Sequence, residues 1–247
     1  MNIIAHRGYS SERPENTIAS FDHAINSGFP YFELDIHLTS DDIPVVMHDA
    51  RVDRTTNGSG EIRDMTLTEI KSLDAGSWFS VLYSCEKVPS LSEVLVRYKN
   101  KAHIFIEIKS NQEAIVEILR NLLVEFDWMP KIKNCSITDL LIPGVSIVSF
   151  ITDQLLFSKT VLPEISHGLL LGEPDKQSME FCVNNGLKGF FPYFGAITKD
   201  IVDIARQKEL YVGAWGLESS EQITKAIDFG VEGVTVDWPG EATKFLE

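Results

Sequence analysis

The chain has 247 residues, 22 basic and 36 acidic, for a formal net charge of −14 at neutral pH. Apolar residues make up 44% and charged residues 23%, which excludes a disordered, fibrous or low-complexity protein and leaves material for a sizeable core. Such a charge repels nucleic acid and anionic membranes in general, while still allowing one local positive pocket.

In chain order, Met1-Asn2-Ile3-Ile4-Ala5-His6-Arg7-Gly8 shows neither a basic leader nor an apolar signal core. No stretch reaches the ~20 apolar residues that span a bilayer. Cys85, Cys135 and Cys182 are scattered, without CxxC spacing. This argues against a disulfide framework or zinc site and for a reducing, cytoplasmic location. Nothing in the sequence fixes an oligomeric state.

Eight short, mostly β-rich runs follow one another at 2–5, 31–36, 103–108, 145–149, 168–171, 187–191, 211–214 and 233–236. Helix-like segments lie between them. Residues 17–27 carry apolar side chains at 18, 19, 21, 24 and 25, with Gly28 as a stop. Segments 113–126, 153–161, 176–184, 199–207 and 220–229 follow, with Asn185-Gly186 and Gly230 as further stops. Alternating strands and helices predict parallel βαβ units. Eight repeats in one chain of this length predict an α/β fold, a (β/α)8 TIM barrel, since such barrels run to about 250 residues as one domain. No GxGxxG or GxxxxGK[ST] supports a nucleotide-binding sheet instead.

The interval from 36 to 103 is too long for one helix. It holds a strand-like run at 44–48, a polar stretch at 54–60, and helix-like segments at 66–73 and 91–98. Residues 50–89 are therefore expected as a small inserted rim subdomain after the second strand, within a single domain 1–247.

Barrel active sites sit at the C-terminal ends of the strands. Glu33 and Asp35 share one face of the second run, with Phe32, Leu34 and Ile36 on the other. Glu107 would enter from the adjacent strand. Two readings fit three convergent carboxylates. One is a hard-oxygen site for magnesium, manganese or calcium. The other is an ion-pair network with Arg7 and Lys109. His6 and His48 are candidates for one base and one acid near neutral pH, provided the 44–48 strand folds over the carboxylates. His37 shares their parity but ranks lower. His23, His103 and His167 read as structural or exposed. Arg7 and Lys109 suit a phosphate. Three carboxylates, a divalent metal, a phosphodiester and two cationic side chains sum to zero charge. Phe150 and Trp215 form either an apolar wall for the ligand or ordinary packing. Asn16 either reaches the site or caps the first helix.

The ordered set His6-Arg7-Gly8, Pro14-Glu15-Asn16-Thr17, Glu33-Leu34-Asp35, Leu38-Thr39-Ser40-Asp41 and Val45-Val46-Met47-His48-Asp49 continues through Arg54-Thr55-Thr56, Pro89-Ser90-Leu91, Ile106-Glu107-Ile108-Lys109 and Ser149-Phe150. It resembles the glycerophosphodiester phosphodiesterase family over essentially the whole chain, most densely in the first 110 residues. The resemblance implies hydrolysis of glycerophosphodiesters to sn-glycerol 3-phosphate and an alcohol. It implies one divalent cation on Glu33, Asp35 and Glu107, acid–base work by His6 and His48, and phosphate contacts from Arg7 and Lys109. We expect His6 as base and His48 as acid. Two positions depart from the family pattern. Trp215-Gly216-Leu217-Glu218 stands for Trp-Thr-Val-Asn, and Val236-Asp237-Trp238-Pro239 for Thr-Asp-x-Pro. Both are expected to bear on substrate preference more than on chemistry. The rivals are phospholipase-D-like cleavage of lysophospholipids, for which Trp78, Phe79, Val81, Leu82 and Tyr83 offer an apolar patch, and a non-catalytic phosphodiester-binding barrel.

Overall fold

The computed structural model describes residues 1–130 and 140–246. Its strands are β1 (Asn2–Ala5), β2 (Tyr31–Leu38), β3 (Pro44–Val46), β4 (His103–Ile108), β5 (Gly144–Ser149), β6 (Ser166–Leu171), β7 (Gly189–Pro192), β8 (Tyr211–Trp215) and β9 (Gly233–Val236). Its α-helices are α1 (Ile18–Asn26), α2 (Leu67–Ser72), α3 (Leu91–Tyr98), α4 (Ala114–Glu125), α5 (Thr152–Val161), α6 (Lys176–Asn184), α7 (Lys199–Gln207), α8 (Ser220–Phe229) and α9 (Pro239–Thr243).

Eight of the strands pair in parallel around a ring, which closes where Ala5 of β1 meets Phe32 of β2. This is the expected (β/α)8 TIM barrel. Among the described residues β3 is the one strand that runs antiparallel, with Ile36 opposite Val46 and Leu38 opposite Pro44. The far end of β2 thus leaves the ring and carries the inserted segment with it.

Local chemistry sets the helix starts. Thr17, Thr66, Ser90 and Asp175 each accept a hydrogen bond from the third helical N–H, and the side chain at that third position reaches back to the cap. Thr17 therefore caps α1 and leaves Asn16 for another role. Helix α1 ends at Ser27, with Gly28 at φ +86 just beyond it.

Parallel strands bury both faces. Outside the ring, Phe32, Leu34 and Ile36 pack under the helices, fully buried, and Phe32 stacks on Phe21 with ring centroids 4.7 Å apart. Inside the ring sit Ile4, Phe105, Val148, Phe191 and Tyr211. Phe191 fits there because Gly168 and Gly213 flank it; a Cβ at either would lie 2.2 or 2.4 Å from its ring. His103 and His167 are buried between hydrogen-bond partners, and burial pushes their pKa values down to about 4 and about 3. Both are neutral structural groups, as expected. His23 pairs with Glu12 at 2.8 Å.

The inserted segment has a hydrophobic cluster of its own: Val45, Met47, Val52, Ile62, Ile70, Ala75 and Val88. At its tip, Leu82 is 86% exposed in a short 3-10 turn (Val81–Tyr83). Cys85 and Cys182 are free thiols, and Cys135 lies outside the described residues. Among the described residues, no helix is long and apolar enough to cross a membrane.

The turn after β1 is tight. Gly8 has φ +80, and a Cβ there would meet Ser20 Oγ at 2.4 Å and its carbonyl carbon at 2.7 Å. Gly8→Ala is therefore expected to cost about 2 kcal/mol or more, a fall of roughly 4–8 °C in melting temperature for a chain of this size. A thermal melt checks this; a variant as stable as the parent refutes the reading of this turn.

Candidate active site

Glu33 and Asp35 stand two apart on β2, and the β2–β4 register puts Glu107 directly opposite Asp35. All three are buried, and one carboxylate oxygen from each lies within 4.8 Å of the others. Burial drives Glu33 well above the ordinary glutamate pKa, and the charges of Asp35 and Glu107 push it further. Burial and Asp35 likewise raise Glu107 to about 7. Asp35 goes the other way. Burial opposes its ionisation, but Arg7, Lys109 and His48 nearby and a 2.8 Å hydrogen bond from Asn16 Nδ2 hold its pKa down.

The carboxylates make the ion pairs that one of the two readings expects. Lys109 Nζ lies 2.9 Å from Glu107 and 3.6 Å from Asp35, and Arg7 Nε lies 3.4 Å from Asp35. The ion pairs nevertheless leave Glu33 Oε1 and Asp35 Oδ1 buried without a hydrogen bond. Unsatisfied anionic oxygens in a dry site are costly, and a hard divalent cation is the species that satisfies several at once. The donor set therefore fits a divalent metal on Glu33, Asp35 and Glu107.

Arg7 adopts a left-handed backbone, φ 54. That conformation aims its N–H at Glu33 Oε2, 3.1 Å away, while Ser20 Oγ holds its carbonyl at 2.9 Å. Burial opposes the Arg7 charge, but Asp35, Glu15 and Glu33 more than offset it. Its Nε is buried, makes no hydrogen bond and lies 3.4 Å from Asp35. Lys109 likewise keeps its charge against burial because of Asp35 and Glu107.

The two histidines approach from different elements. His6 follows β1; its Nδ1 pairs with Asp237 at 2.6 Å and its Nε2 lies 3.9 Å from Glu33. His48 follows β3; its Nδ1 pairs with Asp49 at 2.7 Å. A carboxylate on Nδ1 orients each ring and leaves Nε2 for a reacting group. Burial lowers the His48 pKa, and Asp35 and Asp49 only partly offset this. His37 is buried behind His48, its Nε2 3.0 Å from the His48 carbonyl. It supports the loop rather than lining the cavity.

These groups face one cavity of about 430 Å³. His6, Arg7, Glu33, His48, Glu107 and Lys109 form its polar side; Phe150, Leu170, Phe191 and Trp215 form an apolar side. Phe150 is 44% exposed and meets Trp215 edge-to-face at 5.5 Å. Trp215 Nε1 is fixed on the Phe191 carbonyl at 3.1 Å. Phe150 is thus wall rather than core, whereas Trp215 serves both roles.

Sequence reasoning missed Glu15, Asp49 and Arg54 as site residues, although all three sit inside the quoted motifs. Asp237, the acidic position of the Val236-Asp237-Trp238-Pro239 stretch, was given no role in sequence and holds the His6 ring. Asn16, left open in sequence, reaches Asp35.

Residues 6–241 match the Glycerophosphoryl diester phosphodiesterase family. A glycerophosphodiester phosphodiesterase of Caldanaerobacter subterraneus is 34% identical over 241 residues, covering 96% of this chain and 94% of its own. One from Bacillus subtilis is 33% identical, covering 96% of this chain and 83% of its own. The structure of an Oleispira antarctica phosphodiesterase, in complex with the product sn-glycerol-3-phosphate, superposes with a TM-score of 0.89 at 27% identity, covering 100% of this chain and 96% of that one. Matched by the family model over residues 6–241 and by relatives over almost its whole length, the chain belongs to the glycerophosphoryl diester phosphodiesterase family.

Proposed function

We propose that this chain hydrolyses small glycerophosphodiesters to sn-glycerol 3-phosphate and an alcohol. The observation that carries this reading is one cavity lined by Glu33 and Glu107, with Asp35 buried beside them, together with two fixed cations, two carboxylate-paired histidines and an apolar wall. Arg7 and Lys109 bind the phosphate and stabilise the charge that builds on its oxygens. His6 takes the proton of the attacking oxygen as that oxygen bonds to phosphorus; water gives glycerol 3-phosphate directly, whereas the neighbouring glycerol hydroxyl gives a cyclic phosphate that a water then opens. The bond from phosphorus to the alcohol oxygen breaks, and His48 gives that oxygen its proton. Asp49 and the anionic phosphate secure the proton on His48 against the effect of burial. A magnesium, manganese or calcium ion on Glu33, Asp35 and Glu107 would supply Lewis-acid polarisation of the phosphoryl group. Phe150 and Trp215 receive the carbon part of the substrate.

We read the chain as one domain, 1–247, with 50–89 as a rim subdomain; the separate hydrophobic cluster there supports this. The free Cys85 and Cys182 support a cytoplasmic location.

The test is release of glycerol 3-phosphate from glycerophosphocholine and glycerophosphoethanolamine with each metal and with a chelator. Turnover that needs metal and stops with chelator is expected. No turnover with any of the three ions would overturn the proposal. The exposed rim tip around Leu82 favours a second reading, lysophospholipid cleavage. Faster turnover of lysophosphatidylcholine than of glycerophosphocholine would select it.

A further inference from the structure

The motif Arg54-Thr55-Thr56 has no part in the chemistry above, yet Arg54 makes four hydrogen bonds to two carboxylates near the cavity. Arg54 Nη1 and Nη2 each donate to Glu15 at 2.8 Å. Its Nε and Nη2 donate to Asp49 at 2.7 and 3.1 Å. Burial opposes ionisation of Glu15, but Arg54 and Arg7 hold its pKa down. The Arg54 pKa is raised in turn, by Glu15 first and then by Asp49.

The two carboxylates have different owners. Asp49 stands after β3, where the chain enters the inserted segment, and orients His48. Glu15 is on the barrel, in the turn before α1, and its Oε1 also accepts Arg7 Nη1 at 2.8 Å. One guanidinium therefore joins the carboxylate behind the His48 ring to the carboxylate behind the Arg7 side chain. A single exposed ion pair contributes little, but a planar fork engaged on both edges fixes position as well as charge. The rest of the motif shapes the turn: Thr56 Oγ1 donates to the Val52 carbonyl at 2.7 Å and accepts from Gly58 N–H at 3.0 Å.

We propose that Arg54 is a positioning residue. It clamps the His48-Asp49 stretch, where the chain enters the insertion, to the barrel turn that carries Arg7 and Glu15, and so fixes the spacing between the proton-transferring imidazole and the phosphate-binding guanidinium. This rests on the reading of His48 as catalytic. It assigns to the insertion a defined mechanical link to the barrel, through a side chain that itself touches no reacting atom.

The experiment compares Arg54→Gln, Arg54→Lys, His48→Ala and the Arg54→Gln/His48→Ala double variant on glycerophosphocholine with metal, reading kcat, KM and a thermal melt. A displacement of about 1 Å at a reacting group costs on the order of 100-fold. Arg54→Gln is therefore expected to lower kcat by about 10- to 100-fold with KM within about threefold. In the His48→Ala background the same change is expected to cost less than about threefold, because the group it positions is gone. Arg54→Lys, which keeps the charge but not the fork, is expected to fall short of the parent by at least about fivefold in kcat. It stands in for the glutamine variant in the same double cycle if that one does not fold. The clamp is overturned if Arg54→Gln retains parental kcat, or if it costs the same factor in both backgrounds. Parental turnover in His48→Ala would instead overturn the acid–base reading, and the clamp with it.

Discussion

Glu33→Gln is expected to cut turnover by about 10³-fold or more and, at the same time, to stabilise the metal-free protein. The activity loss follows from removing one of three oxygen donors, since cation stabilisation of a phosphoryl transition state is worth several kcal/mol. The stability gain follows from burial. In the absence of metal, the Glu33 pKa is held well above its ordinary value by burial and by Asp35 and Glu107. The sign follows from proton linkage. A carboxyl with a raised folded pKa binds a proton that the unfolded chain does not, so it destabilises increasingly as pH rises above the ordinary glutamate value. Below that value it is protonated in both states and the penalty vanishes. Each unit of such a shift corresponds to about 1.4 kcal/mol. With chelator at pH 7.5, Glu33→Gln should melt at least about 2 °C above the parent, by the usual 2–4 °C per kcal/mol for a chain of this size. Near pH 4 the two should converge. Adding metal should raise the parent's melting temperature and leave the variant nearly unmoved. Melts at both pH values, with and without metal, decide it. A variant less stable than the parent at pH 7.5 would mean that Glu33 is a structural anion and not a metal donor.

His6→Ala and His48→Ala are each expected to lower kcat on glycerophosphocholine by about 10²- to 10⁴-fold. The two losses should differ in kind. A group that protonates the leaving alkoxide matters most when that alkoxide is a strong base. On the p-nitrophenyl ester of glycerol phosphate, whose leaving group needs no proton, the His48→Ala deficit should shrink to less than about tenfold, while the His6→Ala deficit persists. Steady-state rates on both substrates test this. Deficits that shrink for His6→Ala and not for His48→Ala would exchange the two roles, and near-parental rates in both variants would sink the acid–base mechanism.

Much of this is legible in the sequence. Strands buried on both faces read as short continuous apolar runs, so the ring of eight was visible in its repeat. The carboxylates were visible because a strand has a period of two, and because β4 is the ring neighbour of β2. What stayed hidden was contact across the closure of the ring. His6 and Asp237 are 231 positions apart and meet only because β9 lies beside β1. The same holds for Arg54 and Glu15, 39 positions apart, joined by a fold-back of the insertion that no periodicity encodes. Asn16 was ambiguous for a local reason. Asn and Thr are both good helix caps, and Thr17 took the cap through its Ser20 partner.

The two histidines stand beside different hydrophobic clusters, joined through Val46 of β3, which packs into the barrel core. His6 and the carboxylates stand on the barrel and its large core, whereas His48 follows directly on Val45 and Met47, members of the small second cluster. Small clusters open locally at lower free energy than whole domains. Each such opening withdraws one proton carrier from an otherwise intact cavity. Gentle heating should therefore silence turnover while the barrel amides remain protected from hydrogen exchange, and cooling should bring activity back without any refolding of the ring.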